Sequence, residues 1–193
     1  MLGIICQGVL RDGVTNWMPS YLLETFGLSE EQSIVSTVIL AVFSIVSFGV
    51  FSFINDKIFK DEVLSASAIF VMSAVCSGVL YVANTAFSAS VPVSMILMAL
   101  IVAFMHGINI MLIGHVPKRF VKHGKVATFS GVLNSCTYIG ASLSTYAFAS
   151  IAETKGWNAT ILTWIFVSAV GTVFCFLALP MWKKFRGSID NIK

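Results

Sequence analysis

The chain has 193 residues, of which 57% are hydrophobic and only 11% are charged, and its formal net charge is +3. A soluble globular domain carries about 25% charged residues, so this composition excludes an ordinary soluble protein. The deficit is concentrated in four segments that contain no Asp, Glu, Lys or Arg: 32–55, 63–117, 126–152 and 156–182. These segments are long enough to cross a bilayer as helices and lack the alternation of barrel strands. We therefore predict an all-α membrane protein.

In chain order, the predicted elements are six transmembrane helices. The segment 63–117 is too long for one span, and its polar, Pro-containing stretch at 84–92 predicts a turn. The six spans are expected to form a single bundle that covers residues 1–193. Their predicted limits are 2–23, 34–54, 63–83, 92–113, 127–152 and 159–182.

The charges between the spans sort by side of the membrane. Loop 24–33 holds three Glu and no base, whereas loops 55–62 and 114–126 and the C-terminal tail together hold ten of the 12 Lys and Arg. Lys155 lies in loop 153–158, and Arg11 lies within a span. Because basic loops remain in the cytoplasm, we predict a multi-pass protein of the cell membrane with both termini cytoplasmic. The bases lie in short loops beside the lipid bilayer, so no nucleic acid is expected as a partner.

Arg11 lies inside the first span, where a charge costs about 2.5–3.5 kcal/mol on insertion scales. Gln7, Arg11 and Thr15 are spaced by four residues and share one helix face. A guanidinium has forked donors that suit phosphate or carboxylate, so we predict that this face lines a water-filled cavity and binds an anionic substrate. The alternative is that an acid on another helix neutralises Arg11.

Asp12 follows Arg11 directly. Adjacent side chains on a helix point about 100° apart, so we expect no ion pair between these two residues. Asp12 is a further candidate binding residue, and its role is open between pairing with a base elsewhere and proton coupling. Pro19 is expected to bend or end the first helix.

Four further candidates for substrate binding lie in the fourth and fifth spans. His106 and Asn109 lie one turn apart in the fourth span, and Asn134 and Tyr138 lie one turn apart in the fifth. Each pair could line a polar cavity, and packing is the alternative for each side chain alone. Spans two, three and six contain no ionisable group, so we interpret them mainly as scaffold.

Motifs for nucleotide, metal or covalent chemistry are absent from the sequence. It contains no P-loop, no GxGxxG, no zinc spacing and no nucleophile elbow, and its four cysteines lie within predicted spans without a CxxC pair. We therefore expect no metal, no cofactor and no enzymatic activity.

Residues 8–22 (GVLRDGVTNWMPSYL) resemble the seventh helix of the organophosphate:phosphate antiporters, a family of the major facilitator superfamily that includes glycerol-3-phosphate and hexose-phosphate transporters. The family pattern is an arginine, a glycine two residues later, and then W-x-P-x-Y-L. Weaker similarities follow in NDKIFK (55–60), in MLIG with a basic loop and ATFSG (111–131), and in YIGA (138–141). The chain departs from the family at Gly8 and Asp12, which replace aromatic residues, at Ser52 and at Val116.

The resemblance implies that the chain is the C-terminal six-helix half of an alternating-access antiporter. Its partner would be an N-terminal six-helix half, from the same gene product or a second chain. In this family one arginine from each half binds phosphate, and Arg11 matches the second of them. We therefore expect an organophosphate or sugar phosphate to be exchanged for phosphate.

Two alternatives to this function remain open. The first keeps the fold but is a proton-coupled transporter of a carboxylate or sugar acid, in which Asp12 titrates. The second is a non-transporting membrane subunit or a truncated gene product.

Overall fold

The computed structural model describes residues 1–87 and 90–190, and every regular element within these residues is helical. The all-α prediction is therefore confirmed for this part of the chain. Part of the predicted turn 84–92 and the end of the basic tail lie outside the described residues. The helices are α1 (Leu2–Phe26), α2 (Glu30–Ser36), α3 (Val38–Ile54), α4 (Glu62–Ala86), α5 (Val91–Asn109) and α6 (Val126–Asp190). Shorter π-helical and 3-10 segments connect them at Asn55–Phe59, Ile110–His115 and Val116–His123.

Four helical segments in the described chain are long and apolar enough to cross a membrane. They are Glu30–Phe59, Glu62–Ala86, Val91–Val121 and Val126–Ser188. The helix α1 is not among them, since polar residues such as Gln7, Arg11 and Asp12 reduce its hydropathy. A membrane-embedded protein is supported, and the count of six crossings stays a prediction.

The long helix α6 folds back on itself at Gly156. This residue has φ 77° and ψ 176°, a conformation that glycine adopts without a steric penalty. It separates a first arm, residues 126–155, from a second arm, residues 157–190. The rings of Phe148 and Trp164, at equal distances from the turn, meet edge to face with centroids 6.2 Å apart. The two arms therefore lie side by side and run in opposite directions.

The predicted loops contain more helix than expected. Pro19 does not end α1, which continues to Phe26 and stops at Gly27, a residue in the left-handed conformation. The expected loop 24–33 also contains the start of α2, where Ser29 caps the helix by accepting a hydrogen bond from the backbone of Gln32. The two helices extend into the expected loop because backbone N–H and C=O groups close to the hydrocarbon of a bilayer need hydrogen-bond partners within the chain.

Ion pairs join the elements at the end of the bundle that holds the basic loops. Asp61 accepts hydrogen bonds from two backbone N–H groups at the start of α4 and pairs with Arg186 at 3.0 Å. Beside it the buried carboxylate of Glu62 accepts two hydrogen bonds from Arg119, at 2.9 and 2.7 Å. One basic residue of the predicted loop 114–126 and one of the C-terminal tail are thus held against the start of α4.

Around Gly8 and Gly140, helix α1 packs against the first arm of α6 with almost no side chain between the two backbones. A methyl group added to Gly8 would collide with the carbonyl oxygen of Thr137, and one added to Gly140 would collide with that of Ile5. Small residues allow helix backbones to approach this closely. This contact, which we call the glycine seam, fixes the position of the helix that carries Arg11.

We expect Gly140→Ala to destabilise the protein by roughly 1–3 kcal/mol, because the added methyl forces the two backbones apart. The measurement is thermal unfolding of the purified protein in detergent. Gly131→Ala is the matched control: it lies in the same arm with nothing within 4 Å of the added methyl, so it should be neutral or slightly stabilising. Equal melting temperatures for the two variants would contradict the close packing at the seam.

Candidate functional site

An open cavity of about 640 Å³ lies beside Arg11, between α1, α3 and α5. Its volume falls within the range of pockets that hold small organic ligands. Thr37, the residue that separates α2 from α3, contributes to its wall. The full lining is Arg11, Asp12, Thr15, Asn16, Pro19, Thr37, Leu40, Ala41, Ser44, Ile45, Val102 and His106.

The charged centre of the cavity is an ion pair between neighbours in sequence. Arg11 Nε donates to Asp12 Oδ1 at 2.5 Å, and Arg11 Nη2 donates to Asp12 Oδ2 at 3.0 Å. The expectation that these residues cannot pair is therefore wrong, and the neutralising acid comes from the same helix rather than from another. The flexible stem of arginine can curve around the helix, and an unpaired charge in apolar surroundings costs more than this distortion.

Three predicted binding residues of α1 meet one from α5 at this cavity. Besides the ion pair, the Thr15 hydroxyl donates to the backbone carbonyl of Arg11 at 2.6 Å, which leaves its oxygen lone pairs as acceptors. On the opposite wall, the His106 ring stacks on Phe48 with centroids 5.5 Å apart and planes 10° apart. Stacking holds the imidazole at a fixed place in the wall.

Gln7 lies one turn away from Arg11, but it is fully buried and does not line the cavity. Its Nε2 donates to the backbone carbonyl of Met105 in α5 at 3.0 Å. Its Oε1 accepts a hydrogen bond from the Thr137 hydroxyl in the first arm of α6 at 3.4 Å. Gln7 thus links α1 to α5 and to the first arm of α6. It is not a cavity residue, because the cavity does not extend to the helical turn of α1 on which Gln7 lies.

The other three candidates lie on different surfaces. Asn109 is half-buried at the end of α5. Asn134 is exposed and Tyr138 is 58% exposed, both on the outer face of the first arm. None of the three lines the cavity of Arg11.

The second span, interpreted from the sequence mainly as scaffold, also supplies one wall of the cavity through α3. The residues that the sequence analysis missed are Thr37, Ala41 and Ser44, together with their apolar neighbours. They are small or hydroxyl-bearing and follow one another at about one helical turn, a pattern visible in the sequence. The Ser44 hydroxyl donates to the carbonyl of Leu40 at 2.6 Å, so its oxygen can still accept from a ligand.

The site can hold an anion through its remaining donors. A guanidinium has five N–H donors, and Asp12 engages two of them on Arg11. The Asn16 amide adds donors and an acceptor for a polar ligand, and the lining hydroxyls, which donate to backbone carbonyls, add acceptors. For a metal, the described residues contain no group of three or more His, Cys, Asp or Glu that could hold the ion.

Comparison with known proteins does not assign the chain to a family. No protein-family model matches the chain, and no curated protein is significantly similar to it. Functional inference therefore depends on the cavity and on the motif in residues 8–22.

We expect Gln7→Met to lower the free energy of unfolding by about 1–2 kcal/mol, because it removes a buried hydrogen bond and leaves the Met105 carbonyl without its donor. If the cavity binds an anion such as phosphate, that binding should change little, since the Gln7 side chain lies outside the cavity. Thermal unfolding and a binding titration on the same preparation measure the two effects. A variant that kept its stability but lost anion binding would contradict this purely structural role and would indicate that Gln7 contacts the bound anion.

Proposed function

We propose that the protein transports a small organic anion across the membrane and that Arg11 is the ligand of that anion. The observation that carries the proposal is a guanidinium, 17% exposed, on the wall of a 640 Å³ cavity within a bundle of apolar helices. Charges at such positions are costly, and chains that keep them commonly use them on substrate or ion pathways.

The substrate class that fits best is a phosphate monoester, such as an organophosphate or sugar phosphate, exchanged for inorganic phosphate. The planar fork of arginine matches the oxygens of a phosphate group. Around it the side chains of Thr15, Asn16, Thr37 and Ser44 can bind the hydroxyl groups of an organic part. The similarity of residues 8–22 to the seventh helix of the organophosphate antiporters supports the same substrate.

Transport would proceed by alternating access between this bundle and a second six-helix half in the cell membrane. Substrate sites in such transporters lie at the interface of two repeats, which rock about the bound ligand. The described cavity has walls from α1, α3 and α5 and is open on its remaining side. In the proposal, the second half closes that side and supplies another base for the phosphate.

We expect Arg11→Lys to reduce phosphate exchange at least tenfold, because lysine keeps the charge but loses the two-point contact worth about 1.5–3 kcal/mol. The assay is uptake of labelled phosphate into vesicles that contain the protein with its N-terminal half and are preloaded with phosphate.

The matched control for this experiment is Arg186→Lys. Arg186 contacts both the Lys60 carbonyl and Asp61 through a single nitrogen, Nη1, so a lysine can replace it. Exchange should persist in the control. Unchanged exchange in Arg11→Lys would exclude Arg11 as the phosphate ligand, and no exchange by the unmodified protein would favour a non-transporting subunit.

A second candidate function is proton-coupled transport of a carboxylate or sugar acid. The observation that favours it is Asp12, whose carboxylate is 26% exposed and lies in the same cavity as Arg11. In this mechanism Asp12 would be the group that couples substrate transport to proton movement. This mechanism requires transport that depends on pH, whereas simple phosphate exchange does not require net proton movement.

If this second function is correct, Asp12→Asn should abolish substrate-driven proton movement, because an amide cannot take up the proton. A pH-sensitive dye enclosed in the vesicles, with glucuronate added outside, measures the movement. Glu153→Gln removes the same charge from an exposed position and should leave the signal intact. Full proton movement in Asp12→Asn would exclude this residue as the coupling group.

A further inference from the structure

The Arg11–Asp12 pair is a two-point contact of the kind that arginine makes with bound anions. Nε donates to Oδ1 and Nη2 donates to Oδ2, so the carboxylate takes one forked edge of the guanidinium, as a free carboxylate or phosphate also can. A carboxylate from the protein therefore occupies one of the edges through which Arg11 could bind an anionic substrate.

We propose that Asp12 is an internal competitor of the substrate for one edge of Arg11: an anion gains two-point contact with Nε and Nη2 only by displacing the Asp12 carboxylate, and otherwise is left with the Nη1 side of the guanidinium. The inference depends on the proposed function, in which Arg11 binds the anion. Asp12 then acts as a specificity-determining residue, and it lies at one of the positions where the chain departs from the family motif.

Competition follows because few other polar groups near the pair could bind the anion in place of Arg11. Thr15 is engaged with the backbone of Arg11, and His106 is the other titratable group among the described lining residues. A displaced Asp12 carboxylate can still be hydrated, because its side chain is 26% exposed to the open cavity. Displacement therefore costs two charge-assisted hydrogen bonds and does not bury the released charge.

Selectivity follows from the same exchange. An anion with two suitably spaced oxygens, such as a phosphate monoester or a carboxylate, replaces both contacts that Asp12 gives up. A spherical ion such as chloride offers the two donors one shared acceptor instead of two separate oxygens, so it replaces the two contacts less well. The pair therefore favours oxyanions with at least two adjacent oxygens.

The test is modification of Arg11 by phenylglyoxal, a reagent for guanidinium groups, in membranes from cells that express the whole protein. Mass spectrometry of the peptide that contains Arg11 gives the rate. We expect Asp12→Asn to increase this rate about tenfold and to lower the phosphate concentration that half-protects Arg11 by a similar factor. In the unmodified protein, phosphate should protect Arg11 much better than chloride of equal ionic strength.

Controls separate a local effect from misfolding. Arg119 and Arg186, which pair with Glu62 and Asp61, should react at unchanged rates in the same sample. Glu153→Gln, with the same change in net charge, should behave as the unmodified protein.

The outcomes distinguish the two proposals. An unchanged rate and an unchanged half-protecting concentration in Asp12→Asn would overturn the competition while leaving Arg11 as a ligand. Chloride protection equal to that of phosphate in the unmodified protein would also overturn it, and this measurement needs no variant. If phosphate protects Arg11 neither in the unmodified protein nor in Asp12→Asn, the proposed function is rejected and the competition with it.

Discussion

The cost of a charge in apolar surroundings is the constraint on which the described site depends. Arg11 lies near the middle of a 25-residue helix, and the bundle around it is built from strongly apolar segments. Asp12 reduces this cost by pairing with Arg11 within the same helix. An ion pair formed in this way requires no acid from α3 or α5, so the remaining cavity wall can be assembled from small, hydroxyl-bearing and apolar side chains.

The site also depends on contacts that are not part of it. The glycine seam brings α1 against the first arm of α6, and Gln7 ties α1 to α5 and to Thr137. At the far end of α1, the Tyr21 hydroxyl donates to Asn84 at 2.8 Å, and Trp157 donates to Glu24 at 2.8 Å. The helix that carries Arg11 is thus held at both ends, while its middle borders the cavity.

Sequence reasoning predicted the helical class and the unusual position of Arg11, because composition and the cost of a buried charge are visible without a structure. It did not predict the Arg11–Asp12 pair, since an average angle between adjacent side chains ignores the length and flexibility of the arginine stem. It placed Gln7 on the binding face with Arg11, whereas the side chain is buried in the core. A shared helix face does not show how far along the helix a cavity extends. It did not predict that α3 contributes to the cavity of Arg11. The hydroxyls of Thr37 and Ser44 carry no charge, so in the sequence they cannot be distinguished from packing residues.

The glycine seam has a mechanical consequence. Where side chains separate two helices, a small shift of one helix can be absorbed by rotation about side-chain bonds. At Gly8 and Gly140 backbone lies against backbone, and such closely packed contacts have little compliance. A displacement of α1 would therefore move the first arm of α6 with it, and little of the motion would be absorbed at the contact.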